Sequence, residues 1–108
     1  MPNIRKVYKE DNITIESLNG GKTFIFSFKE VLPNKDTLES YIALKRAKIK
    51  QILKNSDVFE RNHLFFYKTY TVKKQLEVFV ELYVAFKNNI TDFKNKVIIL
   101  KQKMSDIF

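Results

Sequence analysis

The chain has 108 residues, 44% hydrophobic, 14% aromatic and 30% charged, which is apolar mass enough for one core and excludes a disordered chain. A net charge of +8 and a pI near 9.7 draw anions (nucleic acid, acidic protein, anionic lipid) and exclude an acidic nucleic-acid mimic. With no cysteine there is neither a disulfide nor a thiolate metal centre, and no apolar run reaches the roughly 18 residues of a spanning helix.

The opening "MPNIRKVYKED" has no apolar run and is not a signal peptide, so the expected location is cytoplasmic. Met1 is compatible with a complete small reading frame. Lysine-rich composition also arises from AT-biased coding, so charge alone names no partner. Both glycines and both prolines, Pro2, Gly20, Gly21 and Pro33, lie in the first third, and from Asn34 to Phe108 there is neither. Tight hairpins use such residues and helix interiors reject them, so the chain reads as an α+β protein. The expectation is a single domain, 1–108, with an N-terminal β-hairpin head (12–29) packed on a mainly helical body (35–107).

In the head, "NITIESLNGGKTFIFSF", Asn19-Gly20 suits a two-residue type I′ turn, in which both central residues take positive φ. Leu18 and Gly21 then close the turn, Ile15 faces Phe24 and Ile13 faces Phe26. Opposed residues of an antiparallel pair share a face, so four large apolar side chains gather on one side. Thr14, Glu16, Thr23 and Ser27 lie mostly on the other. Phenylalanine facing isoleucine in this way is a core face rather than a base-stacking platform, which would interleave basic residues with its rings.

After "EVLPNKD", Asn34 or Asp36 caps a helix expected over Lys35 to Lys54, with Asp36 and Glu39 in the first turn, where the helix dipole favours them. Its apolar side is Leu38, Ile42, Ile49, Ile52 and Leu53, helped by Tyr41 and Leu44. "KNSD" ends it, and Asn55 or Ser56 starts the next segment.

From Phe65 a sevenfold pattern runs through Val72, Phe79, Phe86, Phe93, Leu100 and Ile107. A second series, Thr69, Leu76, Tyr83, Ile90, Val97 and Met104, follows four residues behind, and only Thr69 is polar. That spacing predicts a coiled-coil or bundle seam, either one long kinked helix or two helices joined at "KNNITD". A rival pattern overlaps it. Leu76, Val78, Val80, Leu82, Val84 and Phe86 alternate without a break, and "LFFYKTYTV" has strand-like content. A second hairpin at about 64–86 is therefore the alternative, although its joining "KK" lacks turn chemistry.

The sequence points away from an enzyme. His63, the only histidine, has no serine or carboxylate spaced to orient it and reads as a solvent-facing or capping residue. No Asp/Glu cluster has metal-loop spacing, and Glu77 and Glu81 read as ion-pair partners of Lys73 and Lys74. "NGGK" lacks the glycine spacing of a phosphate loop. No cofactor is implied.

The basic excess lies in the body. Arg46, Lys50 and Lys54 are four apart and form one helix ridge. With the seam at the a and d positions, Lys87, Lys94 and Lys101 fall at e, and Lys96 and Lys103 at g. Like charges meeting there oppose a parallel homodimer through 87–104, while other oligomers remain open. An intramolecular seam with lysine stems lying over apolar surface is the simplest alternative. The expected function is a small non-catalytic binding protein, nucleic-acid-associated through Arg46, Lys50, Lys54, Lys87, Lys94 and Lys101, which would touch phosphates without reading bases. The alternative is an interaction module, a phage- or plasmid-type adaptor, chaperone or inhibitor, that docks an acidic partner through its aromatic-rich helices. Peripheral membrane binding is a third class, resting on the amphipathic C-terminal segment.

Overall fold

A computed structural model describes residues 4–10, 12–105 and 107. The body is not mainly helical. Five antiparallel strands form one sheet: β1 (Ile4–Glu10), β2 (Ile13–Leu18), β3 (Thr23–Leu32), β4 (Phe59–Val72) and β5 (Gln75–Phe86). Helix α1 (Leu38–Lys54) connects β3 to β4, and helix α2 (Phe93–Met104) follows β5. The strand order is β1-β2-β3-β5-β4, so β5 runs beside β3 and leaves β4 at the edge.

The sevenfold seam fails for a geometrical reason. Seven is odd and strand side chains alternate with period two, so within each strand successive members of the series switch faces. Phe65 and Phe86 lie on the helix side of the sheet, whereas Val72 and Phe79 lie on the open side. The alternation from Leu76 to Phe86 is the operative pattern, and all six of its members are buried, three of them completely. A helix over 76–86 would have presented apolar residues all round. As a central strand the segment is bonded on both sides, pairs with Phe24, Phe26 and Phe28, and needs only its inner face covered. The coiled coil is thereby excluded, and residues 64–86 adopt the hairpin alternative.

That hairpin turns on Lys73 and Lys74, with φ of 49° and 70°. These are the positive values of a two-residue I′ turn, imposed on two residues that disfavour them, because Val72 and Gln75 are already paired by the strands. Left-handed backbone at non-glycine residues costs on the order of 1 kcal/mol each. Replacing the pair by Asn-Gly should raise stability by about 1 kcal/mol, read as a higher urea midpoint at unchanged slope.

In the first hairpin the faces are as expected and the register is not. Ile15 pairs with Phe26 and Ile13 with Phe28, two residues beyond the predicted partners, which preserves every face. A longer turn causes the shift: a 3-10 turn over Asn19–Gly21 closes on Leu18 and Thr23, and positive φ falls on Gly20 and Gly21. Gly21 is required twice over, since its φ is +93° and a Cβ there would come within 2.8 Å of the Phe93 ring. The turn is thus shaped to receive α2.

Asn34 caps as expected, its Oδ1 accepting from the Asp36 amide at 3.0 Å, but the first turn is 3-10 and α1 proper starts at Leu38. Ser56 starts the next segment by accepting from the amides of Val58 and Phe59, and that segment is β4. The cap of α2 is Asp92, whose Oδ1 accepts from the Lys94 amide at 3.2 Å. Both helices cover the same face. Ile42, Ile49 and Leu53 of α1 and Leu100 and Met104 of α2 share one core with the sheet's Ile15, Phe24, Phe26, Leu82 and Phe86. On α1, Leu44 points to solvent while Lys45 is buried.

Candidate polyanion-binding surface

Helices α1 and α2 together carry nine lysines and arginines and one carboxylate, Glu39. The excess equals the +8 of the entire chain, so the remaining segments balance to zero. Charge separation follows from the fold, which puts both helices on one side of the sheet.

Two of the nine are structural. The Lys45 ammonium is 2.9 Å from Glu30 Oε1, donates to the Ile107 carbonyl, and stands over the rings of Tyr41 and Phe28. Burial and the Glu30 carboxylate push the Tyr41 phenol well above its usual range, which keeps it neutral. Lys96, expected to flank an exposed seam, is buried instead. It donates to the Gly21 carbonyl at 2.8 Å and lies over the Phe86 ring, fastening α2 to the first hairpin.

The other seven reach the surface: Arg46, Lys48, Lys50 and Lys54 on α1, and Lys94, Lys101 and Lys103 on α2. Arg46, Lys50 and Lys54 form the expected ridge, all exposed, about 6 Å apart along the axis. The Arg46 guanidinium sits 4.6 Å from the Phe65 ring centre, and the Lys101 ammonium 4.0 Å from that of Tyr8. Such cation–π contacts hold a charge in place without neutralising it. Among the described residues only Lys29 and Lys45 pair with a carboxylate, so the surface cations of the helices have none. The second expected row is broken up. Lys87 follows the end of β5, half-buried, with its amide bonded to the Val58 carbonyl, and only Lys94 and Lys101 share α2.

The opposite face of the sheet is open and differs in character. Phe66 meets Tyr83 edge to face at 5.7 Å, and Tyr70 meets Phe79 at 5.4 Å. A trough of about 640 Å³ runs past Thr14, Ser27, Lys29, Lys68, Glu77 and Glu81. Lys29 lies 3.7 Å from Glu77, and Lys68 and Glu81 also offset one another, so the trough carries no net positive charge for a phosphate. These aromatics are hidden in the sequence because a helical assignment separates them; the alternation of residues 75–86 is the signal that places them on a common face.

His63 lies half-buried on β4, its Nδ1 3.1 Å from the Arg61 carbonyl. Glu77 pairs with Lys29 rather than with Lys73 or Lys74. Among the described residues no group of three or more His, Asp or Glu could hold a metal ion, and no helix is long and apolar enough to cross a membrane. Compared with protein-family models, curated proteins and solved structures, the chain matches none.

Proposed function

We propose that the protein is a non-catalytic binder of nucleic acid that contacts the phosphate backbone through the exposed cations of α1 and α2. The observation that carries this reading is the segregation of charge: the helices hold the whole net charge, and the remaining segments balance to zero. A cationic layer with few carboxylates attracts a polyanion at long range and releases its counterions on contact. The helices end in ordinary caps and present no loop built to read bases, so binding would follow charge rather than sequence.

The test is duplex DNA binding over a range of salt concentrations. The logarithm of affinity should fall linearly with the logarithm of salt. Replacing Lys50 and Lys54 together by Gln should leave folding almost unchanged, because both are exposed and neither pairs with a carboxylate among the described residues. It should lower the salt slope by about two, one unit for each phosphate that a lysine no longer neutralises. Binding that ignores salt, or a double variant that binds as the parent does, would overturn the reading.

A further inference from the structure

The two edges of the sheet are treated differently. Edge strand β1, "IRKVYKE", carries four charged residues and an irregular register between Lys6 and Tyr8, both devices that deter a further strand. Edge strand β4 has no such protection from Asn62 to Val72. It has no proline there, its pairing with β5 is unbroken from His63 onward, and Lys68 is its only charge at neutral pH. Leu64, Phe66, Tyr67, Tyr70 and Val72 all lie on it, each between 42% and 56% exposed.

The backbone of this edge is set for pairing. In a two-residue hairpin the closing residues, here Val72 and Gln75, exchange both hydrogen bonds, and bonded and non-bonded pairs then alternate. The even-numbered residues of β4 therefore bond to β5, and the odd-numbered ones from His63 to Thr71 turn their amides and carbonyls outward. The charge around the edge selects the occupant. Arg61, Lys68, Lys73 and Lys74 lie on or beside it, Arg46 stands over Phe65, and Glu60 is the one carboxylate of β4. A second copy would bring like charge against like.

We propose that β4 is the docking edge for an extended acidic segment of a partner protein, which adds to the sheet as a sixth, antiparallel strand. Main-chain bonds to the odd-numbered residues supply affinity, the partner's apolar side chains cover Phe66 and Tyr70 on the open face, and its carboxylates, on the other face, lie toward Arg46 above Phe65 and the Lys73-Lys74 tip. This site shares only Arg46 with the helical cations and otherwise stands independently of the nucleic-acid reading.

The experiment uses the intact chain and a labelled peptide of about ten residues alternating Val with Glu, a pattern that suits an added strand. Fluorescence anisotropy should show binding at least about tenfold tighter than that of the same peptide with Lys for Glu, or of a Val/Glu peptide of equal charge interrupted by proline. Amide exchange in the parent chain should slow at odd-numbered residues from His63 to Thr71 and remain unchanged at the even-numbered ones. Thr69→Pro should abolish binding yet fold, since an outward-facing edge amide makes no bond within the sheet. Equal binding of the proline-interrupted peptide, or protection confined to α1 and α2, would mean a polyanion effect and overturn the proposal. A dimer in sedimentation with the same amides protected before peptide is added would make a second copy the occupant, and would equally overturn it.

Discussion

Phe26→Ala should destabilise the fold by about 3–5 kcal/mol, as truncation of a large core side chain does. Phe26 is 1% exposed on a central strand, between Ile15 of β2 and Leu82 of β5, with the Phe28 ring centre 5.9 Å away. Its partners sit on strands bonded on both sides and cannot close the void by shifting one element, which puts the cost toward the upper end of the range. A domain of this size commonly has about 5–15 kcal/mol in total, so the variant should unfold at much lower urea and melt on the order of 15 °C or more below the parent. A variant that is equally stable but loses a ligand would instead make Phe26 part of a binding face.

Lys45→Met should cost about 3 kcal/mol. The substitution keeps the length of the side chain and removes its charge, which strands the Glu30 carboxylate and the Ile107 carbonyl. Removing one member of a buried ion pair typically costs about 3–5 kcal/mol; Glu30 is 27% exposed and partly hydrated, which moves the expectation to the low end. The double variant Lys45→Met with Glu30→Met should recover most of the loss, because a well-packed apolar pair replaces the ions without leaving a lone charge. Urea denaturation of the three proteins checks this. A neutral single variant would show that the pair does not tie α1 to β3 and the C-terminal end of the chain.

The two lysines buried under the helices explain why charge counting in the sequence overstates the binding surface. Lys96 sits at a position that heptad spacing marks as a solvated flank, but α2 packs across the Gly21 turn and turns that flank inward. Lys87 and Lys101 are two heptads apart and would lie on one helix side only if the helix were continuous. Strand β5 ends at Phe86, and that continuity is lost. The Arg46, Lys50 and Lys54 ridge was legible because it lies wholly within one helix, where a spacing of four is a local property.

What the sequence determined by itself is local: the first hairpin and its inward phenylalanines, the Asn34 cap, the end of α1 near Asn55, and the cationic ridge. Each depends on neighbours within one turn or one strand pair. Tertiary structure alone decided the fate of residues 59–86, where a period of seven and a period of two coexist and backbone preference separates them weakly. The choice is made by β3, which offers ten residues of bonded register and a row of phenylalanines to one face of β5. That long-range pairing outweighs two strained lysines at the turn, a residue pair that no local rule would place there. It also exposes β4 as the unguarded edge and places both helices, with all the net charge, on the same side of the sheet.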